Sequence, residues 1–133
     1  MKSWAILAFL LPLLGGCAVE RHYLSNTGKN QVVRVESGDR CYLTLEENRT
    51  AGYRWEAHCD DSDVEVKLEH IAGRGDNGLV GVPGEADVEI RVHRGYDGPT
   101  AVTFAYRRPW EKEPVKKFTI TLFKRTGDCA FWE

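Results

Sequence analysis

Past its first residue this sequence contains no methionine, and past residue 14 it contains no apolar run of membrane-spanning length. Helical periodicity of useful length is missing from the same region, which excludes a helix bundle. Neither CxxC nor HxxxH spacing occurs: His22, His58, His70 and His93 are scattered, and a zinc site or thiol active site has no pattern to rest on. A large surplus of charge of either sign is absent too. Lysine and arginine number 18 against 20 acidic residues, net −2, so there is no basic surplus to meet nucleic acid. Repeats and low-complexity segments are lacking, and nothing points to a cofactor.

What is present at the front is a short hydrophobic segment. Met1-Lys2 precedes the apolar run from Trp4 to Leu14, too short for an ordinary spanning helix and therefore expected to be a secretory signal over residues 1–16. It ends in Leu14-Gly15-Gly16-Cys17, which resembles a bacterial lipobox, where lipid is attached to the cysteine and the chain is cut before it. The resemblance implies Cys17 as a lipidated N-terminus, residues 17–30 as anchor and tether, and attachment to a membrane. Ala18 is not the Asp that retains many such proteins at the inner membrane, so the outer membrane is the expected location, facing either the periplasm or the surface. Loss of residues 1–16 would leave 117 residues, enough for one domain over 31–133 and too few for two.

That domain is written in alternating strands. Val32 to Val35, Cys41 to Leu45, Arg54 to His58, Val64 to Leu68, Val88 to Val92, Val102 to Tyr106 and Phe118 to Leu122 place apolar residues at every second position. Turn-forming clusters separate them, among them Ser37-Gly38-Asp39, Asp60-Asp61-Ser62-Asp63, the stretch from Gly73 to Gly84, and Gly95-Tyr96-Asp97-Gly98-Pro99. The expected fold is all-β, an immunoglobulin-like sandwich of seven to eight strands. Its expected core is Val33, Val35, Leu43, Leu45, Trp55, Val64, Val66, Leu68, Val88, Ile90, Val92, Val102, Phe104, Phe118, Ile120 and Leu122, with Trp55 the largest member.

Three of the connections carry distinctive residues: Asn48-Arg49-Thr50-Ala51-Gly52-Tyr53-Arg54-Trp55, Gly81-Val82-Pro83-Gly84, and Arg108-Pro109-Trp110. An even number of strands separates them, so the sandwich brings all three to one end. Asn48 suits a side-chain bond across a turn, Gly52 a positive φ beside the tip, and Trp55 an anchor of the loop base in the core. Pro109 fixes φ beside Trp110, of a residue type enriched at binding hot spots, and the charged run Glu111-Lys112-Glu113 marks a loop tip. In order and spacing the three segments resemble the inhibitory loops of the chagasin family of cysteine-protease inhibitors, whose pattern is Asn-Pro-Thr-Thr-Gly-Tyr/Phe-x-Trp, then Gly-x-Gly/Pro-Gly, then Arg-Pro-Trp.

That resemblance implies a non-enzymatic, reversible, tight-binding inhibitor of papain-like proteases, acting as a monomer without cofactor or metal. It assigns protease contact to Asn48, Arg49, Thr50, Ala51, Gly52 and Tyr53 over the catalytic cysteine, and to Gly81, Val82, Pro83, Gly84, Arg108, Pro109 and Trp110 on the flanks. The sequence departs from the pattern twice. Arg49 stands where proline is usual, releasing φ and adding a cation, and Ala51 stands for the second threonine, removing a hydroxyl from the tip.

Other features point less far. An exported chain meets oxidising conditions, and strand parity turns both Cys41 and Cys59 inward at the end opposite the loops, so a Cys41–Cys59 disulfide is expected, with Cys129 as rival partner to either. Arg74-Gly75-Asp76 is an integrin-type tripeptide of a kind that arises often by chance. A structural or adhesive envelope lipoprotein using the same sandwich is the alternative reading, and a thiol or metal hydrolase around His58-Cys59-Asp60 a more distant one.

Overall fold

In a computed structural model, which describes residues 19–25, 28–73 and 82–125, the alternating segments all pair as strands. They are β1 (Arg21–Tyr23), β2 (Gln31–Val35), β3 (Arg40–Glu47), β4 (Arg54–His58), β5 (Val64–Ile71), β6 (Gly84–Val92), β7 (Thr100–Arg107) and β8 (Lys116–Lys124), with one 3-10 turn over Arg49–Ala51. One sheet has the order β1-β3-β6-β5 and the other β2-β8-β7-β4. Antiparallel ladders join β3 to β6, β6 to β5, β4 to β7 and β7 to β8, while β1 on β3 and β2 on β8 run parallel.

Burial follows the period of two that a half-buried strand requires. Along β6 the inward set is Ala86, Val88, Ile90 and Val92; along β7 and β8 it is Val102, Phe104, Tyr106, Phe118, Ile120 and Leu122. Of the expected core, Val66 and Leu68 are only half-buried, because β5 is an edge strand and packs against the rim of the cluster. Tyr96, expected in a turn, instead plugs the core and donates its hydroxyl to the Leu122 carbonyl at 2.8 Å.

Two further expectations are corrected. The tether assigned to residues 17–30 contains β1, whose Arg21, His22 and Tyr23 align with Arg40, Cys41 and Tyr42, so the folded unit takes in residues before 31. Backbone pairing and the buried Asp39, which accepts from the Glu20 and Glu36 amides and meets His22 Nε2 at 3.0 Å, hold this short polar strand in place. Cys41 and Cys59 are free thiols, not a disulfide. Cys41 is wholly buried on β3, while Cys59, just past β4 in the other sheet, is half-buried with its Sγ turned to the Asp61 carbonyl at 3.9 Å. Cys17, Cys129 and the Arg74-Gly75-Asp76 tripeptide lie outside the described residues.

The ladders define two poles. At one, β3 hands over to β4, β5 to β6 and β7 to β8; at the other lie the β2–β3, β4–β5 and β6–β7 turns. The three distinctive segments therefore share a pole.

Candidate functional site

At the first connection the chain turns within six residues, and each bond in the turn has a sequence cause. Asn48 Oδ1 accepts from the Ala51 amide at 3.2 Å, its own amide donates to the Tyr106 hydroxyl at 2.7 Å, and its carbonyl accepts from Tyr53 at 3.2 Å. Gly52 closes the 3-10 turn with φ +86° and donates to the Arg49 carbonyl at 2.9 Å. A side chain there is excluded twice over: the positive φ disfavours it, and a Cβ would stand 3.0 Å from Trp110 Cη2. Thr50 and Ala51, which make the tip, are exposed.

Beneath the tip an aromatic column runs into the core. Tyr53 stacks on Tyr106 with centroids 5.2 Å apart, Tyr106 lies tilted against Trp55 at 4.8 Å, and Trp55 meets Phe118 edge-on at 5.4 Å. The Trp55 indole N–H donates to the Glu46 carbonyl at 2.9 Å, so the ring is buried with its polar atom satisfied. Rigid aromatic stacking of this kind fixes the loop without spending flexible side chains on it.

The third connection folds back over the first. Arg108 lies with its guanidinium carbon 4.8 Å from the Tyr53 ring centre and 5.4 Å from that of Trp110. Glu111 grips the same guanidinium, Nε to Oε1 at 2.9 Å, and this pair raises the Arg108 pKa and lowers that of Glu111. The Glu111 amide donates to the Arg108 carbonyl at 3.0 Å, closing the turn. Trp110 is left 70 % exposed above Gly52, with Pro109 exposed beside it.

The second connection is described only in part. Val82 is half-buried and Pro83 exposed, while Gly81 lies outside the described residues. Gly84 departs from its expected role as a contact residue: it is the buried first residue of β6, paired with Glu47, and a Cβ on it would run into the Ile71 carbonyl oxygen. It is glycine so that β5 and β6 can close, and it offers no side of itself to a partner.

Sequence reasoning missed Glu47. This residue has the inward parity of Leu43 and Leu45, an irregular place for a carboxylate, and that parity was the available signal. It is completely buried, accepts from the Trp55 amide at 3.0 Å and lies 3.8 Å from Arg49 Nε. Arg49 is thus tied back to the loop's own base. No buried side-chain nitrogen or oxygen among the described residues lacks a partner.

Catalytic chemistry finds no foothold in the two described thiols. Burial pushes Cys41 up to about 12, with Asp39 adding to the shift, and burial likewise raises Cys59, whose Sγ points to the Asp61 carbonyl. Both remain protonated and poorly nucleophilic at neutral pH. Among the described residues one cluster, Glu20, His22 and Asp39, has metal-ligand atoms close together, and it sits at the opposite pole with its carboxylates already engaged by Arg125, His22 and backbone amides.

Comparison with known proteins agrees with this layout. The family described as chagasin family peptidase inhibitor I42 matches residues 34–122, which spans from β2 through β8. Amoebiasin-2 of Entamoeba histolytica is 24 % identical over 107 residues, covering 78 % of this chain and 85 % of that protein. Among solved structures, the cysteine protease inhibitor EhICP2 from Entamoeba histolytica superposes with a TM-score of 0.67 at 23 % identity, over 79 % of this chain and 96 % of that one. The solution structure of Amebosin gives 0.61 at 22 % identity, over 80 % and 99 %. At these identities the structures establish the shared fold.

Proposed function

The chain belongs to the chagasin family of peptidase inhibitors, and from that premise we propose that it blocks papain-like cysteine proteases by seating the Thr50-Ala51 tip over the catalytic thiol while Trp110 and the Val82-Pro83 segment hold the flanks of the cleft. The observation that carries this reading is the packing of Arg108 on Tyr53 and Trp110, with the Trp110 ring beside Gly52, which joins the first and third loops into one edge with a small tip and an exposed aromatic. A papain-like cleft is narrow, and a tip of one threonine and one alanine fits where a larger side chain is stopped. Because Asn48, Gly52 and Tyr53 preset the loop, little conformational entropy is lost on docking. The same rigidity withholds attack geometry from the thiolate, so the loop is bound and stays whole.

Specificity would come from the flank. Arg108 packs on both Tyr53 and Trp110, which positions a large, stiff contact area at small entropic cost. Arg49, drawn toward Glu47, takes over the stiffening that proline gives at that position in the family pattern.

The test is direct: the domain from Val19 onward should inhibit papain competitively and be recovered uncleaved. A folded domain without effect at micromolar concentration would refute the reading. As a separate proposal, the Leu14-Gly15-Gly16-Cys17 segment supports lipidation of Cys17 and anchorage to an outer membrane. Cys17→Ser should release the protein from membranes, and unchanged association would end that proposal.

A further inference from the structure

The inner strand β6 of the first sheet lacks large side chains at one end. On its inner face β6 carries Gly84 and then Ala86 before the large side chains Val88 and Ile90 begin. In register, Glu47 of β3 lies opposite Gly84, and His70 of β5 lies opposite Ala86 on the other side. The missing and small side chains leave a gap through which the strands on either side of β6 meet: His70 Nδ1 stands 2.8 Å from Glu47 Oε2 and 3.0 Å from Oε1. Glu47 is wholly buried and His70 mostly so, with 27 % of its side chain exposed.

From this arrangement we propose that Glu47 and His70 form a brace beneath the inhibitory edge, coupling the first loop to the second-loop hairpin. They are positioning residues: neither is placed against the protease. One carboxylate serves three masters, because it also accepts from the Trp55 amide and draws in Arg49. Trp55 and Arg49 set the two sides of the first loop, and His70 stands one residue before the end of β5, where the second connection departs. A shift of the paired end of β5 and β6 therefore reaches the Thr50-Ala51 tip through a single buried group. Charge-assisted bonds of this kind are stronger than neutral ones, and a buried carboxylate stripped of its partner is driven to find another. That search would pull on Trp55 and Arg49.

The inference rests on the proposed role of the first loop, and the test separates the two. Three single variants are compared with the parent domain: His70→Leu, which removes the donor; His70→Asn, which restores a donor near the Nδ1 position; and Glu47→Gln, which keeps the shape and removes the charge. Backbone amide exchange at Trp55 and Ala51 is read first, in the absence of any protease. His70→Leu should speed exchange at both amides and weaken inhibition of papain about tenfold, with the loop becoming cleavable between residues 48 and 53; His70→Asn should recover most of both effects. Should Glu47→Gln fail to fold, the His70 pair decides alone. Exchange and inhibition within twofold of the parent in His70→Leu would overturn the brace. If the parent fails to inhibit papain, the functional reading falls, while the exchange rates still decide whether the brace positions the loop.

Discussion

Each pole of the sandwich hides a carboxylate, and the two are put to different use. Asp39 at the turn pole is 2 % exposed and accepts from the Glu20 and Glu36 amides and meets His22, so that every bond it makes ends on backbone or on β1. Glu47 at the loop pole is equally buried and also takes a backbone amide, yet its other partners, His70 and Arg49, belong to segments that carry exposed residues outward. Around Asp39 the polar groups turn in and close the end of the fold. Around Glu47 the same chemistry supports a tip of exposed Thr50 and Ala51 and a Trp110 that a fold built for stability alone would have buried. Both poles are satisfied internally; one of them spends that rigidity on presentation.

The sharpest way to break the contrast is at the tip. Ala51→Trp should abolish inhibition, a loss on the order of 4 kcal/mol or a thousandfold, while leaving the melting temperature unchanged, since Ala51 is exposed. A competition assay beside a thermal melt checks both halves, and inhibition that survives the tryptophan means the first loop does not enter the cleft. At the other pole the pattern should invert. Asp39→Ala should cost about 2–4 kcal/mol of stability by leaving buried amides and His22 without their acceptor, with inhibition by the still-folded fraction unaltered.

Acid sharpens the same comparison. Burial alone would raise the Asp39 pKa, but the His22 bond, the Glu36 and Glu20 amides and the His22 charge together lower it below 3.8. A carboxyl depressed in the folded state stabilises fully above its unfolded value, and that stability is lost as pH falls through the folded one. The parent should accordingly lose more stability than Asp39→Asn between neutral pH and the acid range below 3.8, as urea melts across that range would reveal. Smallest in free energy is Trp110→Ala, expected to weaken inhibition by about 1–3 kcal/mol. Its melting temperature should stay near that of the parent, because the ring is 70 % exposed. A large drop in stability would mean that Trp110 belongs to the fold and not to recognition.

The strands were legible because a half-buried sheet forces a period of two, and the seven alternating segments all lie within strands. The shape of the first loop was legible as well: Asn48, Gly52 and Trp55 do what their chemistry suggests at a cap, a positive φ and an anchor. What escaped depends on partners far away in sequence. Arg21-His22-Tyr23 has no apolar alternation, and its strand exists through pairing with β3 and through Asp39. Tyr96 sits among turn residues and is claimed by the core through Leu122. Gly84 resembles a loop glycine until its distance to Ile71 is known. Strand parity placed Cys41 and Cys59 inward at one pole but said nothing about where each thiol points, and the Cys59 Sγ turns to the Asp61 carbonyl.

The parallel pairing of β1 with β3 fixes a direction of travel. The chain comes into the sandwich beside Arg40, at the start of β3, and the loops leave from the far end of that strand, eight residues or about 25 Å away. Residues before Val19 thus join the molecule at its heel, and the pole that carries Thr50, Ala51 and Trp110 is its toe. Were Cys17 held in a lipid leaflet, the domain would stand on the membrane with Thr50, Ala51 and Trp110 aimed at the surrounding fluid, and an enzyme could reach them without the bilayer in its way.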